Sequence, residues 1–305
     1  MTKRKVSNVA ASVRQRLLNI IRETGGDSNL IWSRYAVERL LYRLSVSEHD
    51  SDFVLKGAML FLAWTGQLHR PTVDLDLLGR GEDSAERLAQ VFRDVCNVEV
   101  EPDGLVFDPD TVKVGLIRED QPYQGRRVAL TALLGKSRIP VQVDVGFGDA
   151  VWPRARKLLC PTLLDLPAPR VRAYPYETVV AEKFHALVIL GIANSRMKDF
   201  YDLYVLAHDF TFGGATLARA IKATFGRRNT DIPISDPLAL TEEFGHDAVK
   251  TVQWNGFVRK AGLEGEAPEL MEVISRLREF LLPVIKKVSA PESDAGKWEA
   301  GGPWK

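Results

Sequence analysis

The 305-residue chain has little cysteine, little net charge and no long apolar run. Its two cysteines, Cys96 and Cys160, lie far apart and match no metal-ligand spacing. That excludes a disulfide framework and a thiolate metal site, and it fits a reducing compartment. No apolar stretch approaches the roughly 20 residues that span a bilayer. The basic N-terminus, MTKRKVSNVAASVRQ, is not followed by an apolar signal core. A cytoplasmic protein with no membrane association is therefore expected. Lys plus Arg is 41 and Asp plus Glu is 40, for a net charge of +1, so bulk charge names no partner. His69, His185, His208 and His246 show no ligand spacing, and no Ser-His-Asp or Cys-His arrangement or internal repeat stands out.

What is present is the composition of a globular protein, 45% hydrophobic and 27% charged, with a length for one large domain or two ordinary ones. Apolar spacing predicts helices over 8–23 and 30–46. FVLKGAMLFLAW reads as a short strand, a glycine and a helix. The alternation in TVDLDLL predicts a strand over Thr72–Leu78, and SAERLAQVFRDVCN a helix capped by Asp83 or Ser84. VKVGLIR, RRVALTALL and IPVQVDVGF follow as strands. A connector with five prolines covers 151–175, and the pattern then turns helical: 176–191, a helix from KDFYDLYVLAHDF, then regions near 214–225, 240–260 and 268–288. The polar, Gly/Pro-rich end SAPESDAGKWEAGGPWK reads as a flexible tail. The outline is an α/β lobe followed by a helical lobe.

Asp74 and Asp76 interrupt an apolar strand. Two apart, they share a face and repel unless a cation sits between them. Oxygen donors of this kind suit Mg²⁺, with Mn²⁺ as the alternative. Asp144, a lone acid in a later strand, is the candidate third carboxylate of a two-metal site. Upstream, Lys56-Gly57-Ala58 precedes a helix, where a glycine lets backbone approach phosphates. Arg70 has a planar fork that suits the same phosphates. Each piece alone is weak, since exposed strands often carry an Asp-x-Asp. Arg126, Arg127, Lys136, Arg138, Arg154, Arg156, Lys157, Arg170 and Arg172 are either a phosphate-holding patch or an ordinary solvated surface.

The ordered set of glycine and helix, Asp-x-Asp strand and isolated strand aspartate resembles the nucleotidyltransferase fold shared with DNA polymerase β. There the glycine is usually followed by Gly or Ser; here Ala58 follows, and no hydroxyl is offered. Together with AEKFHALVILGIANSRMKDFYDLYVLA, the LKGAMLFLAW and RPTVDLDLLG blocks resemble the AbiEii/AbiGii abortive-infection toxin family, which includes mycobacterial toxins that modify tRNA. The resemblance covers roughly residues 50–210. It implies a polymerase β-like nucleotidyltransferase lobe, over 48–170; the apolar pattern adds a helical domain over 171–288, a helical extension over 1–47 and the tail over 289–305.

It also implies that the Lys and Asp of the E-K and K-D blocks, Lys183 and Asp199, are essential. Read physically, Lys183 borders an apolar helix stripe and must snorkel out or meet an anion, either a triphosphate or an acid such as Asp199 or Glu177. Asp199 otherwise suits the start of a helix, and Asp202 is spaced to pair with Lys198. In some family members the hydroxyl matching Thr72 is phosphorylated; it is otherwise an ordinary strand residue. The implied activity is a toxin's: transfer of a nucleoside monophosphate from an NTP to the tRNA 3′ end, blocking aminoacylation, with a cognate antitoxin as partner. The alternatives are transfer to a protein hydroxyl and a non-catalytic, partner-binding relative.

Overall fold

The computed structural model describes residues 8–117, 125–288 and 296–305. The chain divides into two compact units, one of Met1–Gly148 with Arg156–Ala173, the other of Asp149–Ala155 with Tyr174–Lys305.

The first unit begins with α1 (Val9–Thr24) and α2 (Ser28–Val46), capped by the side chains of Asn8 and Asp27. There follow β1 (Phe53–Lys56), α3 (Met59–Thr65), β2 (Asp74–Gly79), α4 (Ala85–Cys96), β3 (Leu105–Leu116), β4 (Arg126–Leu134), β5 (Ser137–Phe147), β6 (Arg156–Leu159) and β7 (Arg170–Ala173). Ser84, one of the two predicted caps, accepts from the Arg87 amide. The seven strands form one mixed sheet in the order β3-β4-β5-β2-β1-β7-β6, with β2/β5 and β1/β7 parallel. β2 starts at Asp74, two residues later than the alternation suggested, and β3 extends the predicted VKVGLIR strand backwards to Leu105. Arg118 at the end of VKVGLIR lies outside the described residues.

Period-two alternation gives the sheet two unlike faces. Leu75, Leu77, Val143, Val145 and Val128 are at most 1% exposed. Leu41 and Leu44 of α2 meet Leu55 and Leu77 on that face, and Phe92 of α4 packs edge-on against Phe53. Each such side chain contributes about 1.5–3 kcal/mol by leaving water. The register of this face is thereby fixed, because a one-residue slip would bury the aspartates instead. The other face carries Asp74, Asp76, Gln142, Asp144 and Arg127, all half-buried.

The second unit is helical: α5 (Tyr176–Leu190), α6 (Met197–Asp209), the two-residue strand β8 (Phe212–Gly213), α7 (Gly214–Arg227), α8 (Glu242–His246), α9 (Ala248–Ala261), α10 (Leu270–Val288) and β9 (Lys297–Trp298). The single helical region expected near 240–260 is two helices, because Asp247 leaves helical geometry and caps α9 through the Lys250 amide. The expected flexible tail also differs. Residues 289–295 lie outside the described residues, but 296–305 are packed. β9 pairs with β8, Trp298 is fully buried and its indole donates to the Ala207 carbonyl at 2.7 Å. Trp304 stacks on Phe280. Among the described residues no helix is long and apolar enough to cross a membrane.

Candidate active site

Sheet register brings the predicted carboxylates of the first unit together. Asp74 and Asp76 project from one face of β2, and the parallel partner β5 sets Asp144 directly beside Asp76 and Gln142 beside Asp74. Gln142 donates to Asp74 at 2.9 Å. Arg127, opposite Asp144 on β4, donates from Nε and Nη2 to the two carboxylate oxygens at 2.8 and 2.7 Å. The hydrogen bonds from Arg127 to Asp144, followed by the charges of Asp144, Asp74 and Asp76, hold the guanidinium above its ordinary pKa. One arginine thus experiences the field of all three acids.

Gly57 closes the other side. It has φ +72°, and a Cβ there would fall 2.6 Å from Cγ and 2.7 Å from Cβ of Asp76. Both the left-handed backbone and the close approach demand glycine. α3 follows with Ala58 as its cap, which makes no side-chain hydrogen bond. Lys56 is paired with Asp76 across the β1–β2 ladder. Arg70 lies in the loop before β2, with Nη1 donating to the Pro71 carbonyl at 3.4 Å, and the Thr72 hydroxyl donates to the Asp74 carbonyl at 3.4 Å.

The donor set fits a hard divalent cation: three carboxylates on one half-exposed face, already drawing a guanidinium. Their oxygens are not gathered as closely as another set. Among the described residues, Glu48, His49 and Asp94 are the acids and histidine whose ligand atoms all lie within 4.8 Å of one another. That set lies at the start of the 3₁₀ turn before β1 and on α4, away from the motif residues.

In the second unit, Lys183 of α5 is 15% exposed and lies 2.6 Å from Asp199 and 2.8 Å from Asp202, both on α6 and 1% exposed. Arg196 approaches the other oxygen of Asp199 at 2.7 Å. Of the two acids weighed as partners of Lys183, Asp199 is seen, and Asp202 joins it. Asp202, spaced to pair with Lys198, reaches Lys183 of α5 at 2.8 Å. Sequence reasoning missed a further polar knot. Arg228 bonds Asp149 at 2.9 Å and lies 3.7 Å from Glu182, and Tyr174 donates to Glu182 at 3.1 Å. His185, in contact with Arg228, is pushed down to about 4 by burial and then by that cation. Gln142, also missed, was visible as the residue two before Asp144 on the same strand face.

The basic residues do not form one patch. Lys136 and Arg138 are exposed at the β4–β5 turn, and Arg156 and Arg170 at the opposite edge of the sheet. Arg126 and Arg172 bond the carbonyls of Asp83 and Ser51, Lys157 pairs with Asp50 at 2.7 Å, and Arg154 belongs to the other unit.

No curated protein matches the chain. Among solved structures it is similar to JHP933 from Helicobacter pylori, at 15% identity and TM-score 0.47 over 83% of this chain and 90% of that one. It is also similar to a second H. pylori structure, whose description as a nucleotidyltransferase is provisional, at 15% identity and TM-score 0.46 over 84% and 94%. Residues 39–276 match the family described as the nucleotidyl transferase AbiEii toxin of type IV toxin–antitoxin systems. With its mixed-sheet lobe and helical lobe, the chain belongs to the AbiEii nucleotidyltransferase toxin family.

Proposed function

We propose that the protein transfers a nucleoside monophosphate from an NTP to the 3′ end of tRNA, with Asp74, Asp76 and Asp144 as the metal-holding carboxylates. The observation that carries the reading is the in-register triad on adjoining strands β2 and β5, with Gly57 packed against Asp76. A bound Mg²⁺ or Mn²⁺ would supply Lewis acidity to the triphosphate and neutralise charge on the reacting oxygens. The acceptor oxygen attacks the α-phosphorus, the bond to the β-phosphate oxygen breaks, and pyrophosphate leaves. Asp144 receives the proton of the acceptor hydroxyl. Backbone at Gly57 and Ala58, with Lys56 and Arg70, cradles the phosphates. Exposed Lys136, Arg138, Arg156 and Arg170 are candidates for the tRNA backbone, with salt-sensitive affinity. Family membership implies a cognate antitoxin, and the tRNA reading implies action in the cytoplasm. A phosphate on Thr72 would set negative charge two residues before Asp74 and oppose nucleotide binding.

The test incubates the protein with Mg²⁺, total tRNA and each α-labelled NTP in turn, beside Asp74→Ala. Label entering tRNA from one NTP, and lost in the variant, is the expected result. Label on protein alone would move the acceptor to a protein hydroxyl. No label with any NTP, and growth arrest retained by Asp74→Ala, would overturn the catalytic reading.

A further inference from the structure

One transverse row of charge crosses four strands. Lys56 of β1 opposes Asp76 of β2, Asp76 lies beside Asp144 of β5, and Asp144 opposes Arg127 of β4. Directly paired residues share a face, so the row runs cation, anion, anion, cation. At its β4 end the guanidinium fork engages both oxygens of Asp144. The pair is not sealed from water: the Arg127 side chain is 41% exposed and that of Asp144 16%. Such a pair is weak on balance, since solvent competes for both partners. Beyond Arg127 on β3 stands Gly115, and a Cβ built there would meet no atom of the described residues within 4 Å. No described residue at Gly115 stands in the way of the guanidinium moving toward β3.

We infer that Arg127 is an internal counter-cation that competes with the divalent ion for Asp144 and swings toward Gly115 when the ion draws Asp144 to Asp74 and Asp76. This rests on the transferase reading above. The fork and a metal ion draw on the same carboxylate charge and repel one another, so each weakens the other's hold on Asp144. Arg127 is a positioning residue, acting through Asp144. Its removal should tighten metal binding, whereas a residue that merely braced Asp144 as a ligand would weaken binding when removed. The sign separates the two roles.

The probe is Mn²⁺, titrated into the full chain and followed by the electron paramagnetic resonance signal of the free ion. Wild type, Arg127→Gln and Asp74→Ala are compared, with circular dichroism to check folding. We expect Arg127→Gln to bind Mn²⁺ roughly tenfold more tightly, through loss of one nearby positive charge, and Asp74→Ala to lose the site. Unchanged or weaker affinity in Arg127→Gln overturns the counter-cation role alone. Mn²⁺ binding that Asp74→Ala leaves untouched overturns the transferase reading, and the counter-cation role with it. Should Arg127→Gln not fold, Arg127→Lys keeps the charge but not the fork. A roughly twofold to threefold tightening would then support the role, and none would overturn it.

Discussion

Two aspartates of the sheet unit are gripped by arginine forks, and they differ in almost everything else. Asp103 accepts from Arg43 at 2.6 and 3.1 Å, from Arg39 at 3.1 Å and from the Leu105 amide at 3.1 Å, and both its side chain and that of Arg39 are 1% exposed. Burial works against its charge, but the two guanidinium groups outweigh it and hold the carboxyl below its ordinary pKa. Asp144 has one arginine, itself 41% exposed, and shares its face with two more acids. The same bidentate chemistry thus serves two ends. Sealed and over-supplied with cations, it ties α2 to the loop before β3. Open and short of cations, it leaves a carboxylate that can change partners.

The sharpest way to break the comparison is to remove each acid. Asp103→Ala strands two buried guanidinium groups and should cost about 3–5 kcal/mol in urea unfolding. Asp144→Ala should cost less than about 1 kcal/mol, yet abolish nucleotide transfer. Equal losses of stability would erase the distinction. Lys183→Gln brings the buried style of pairing into the second unit, leaving Asp199 and Asp202 with one cation fewer, and should cost about 3 kcal/mol by the same measurement. Gly57→Ala attacks the open site through its backbone. A side chain at φ +72° against Asp76 should cost about 1–3 kcal/mol and lower transfer at least about tenfold, as read by label incorporation.

The last effect concerns pH. Burial pushes the Glu38 carboxyl up to about 7, with the Leu163 amide and then Arg39 and Arg34 working against it. The folded protein holds that proton more tightly than the unfolded chain. This contribution to stability is present below the unfolded value near 4.5 and is lost as pH rises toward about 7. Glu38→Gln keeps an acceptor for Leu163 and should flatten the slope, as measured by urea midpoints across that window.

Much of this was legible from local rules. Period two put Asp74 and Asp76 on one face, and Ser84 and the apolar stripes marked α4, α5 and α6. The α/β lobe followed by a helical lobe stands as read. What sequence could not reveal was register across strands. That Asp144 lies beside Asp76 depends on β5 entering parallel to β2, and that Arg127 faces Asp144 depends on the pairing of β4 with β5. Neither is a property of any single segment. Asp202 shows the same limit: spacing along α6 offered Lys198, and only the packing of α5 brings Lys183 within 2.8 Å. The break at Asp247 was readable as a capping residue. The burial of Trp298 was not, because a Gly/Pro-rich stretch reveals its polarity but not the slot between α6 and α10 that receives one indole.

That indole sets a timetable. α5 and α6 leave the ribosome about a hundred residues before Trp298, whose indole bonds the Ala207 carbonyl of α6. A growing chain displays Lys183 and Asp199 well before Trp298 is made, so this part of the helical packing forms late in synthesis.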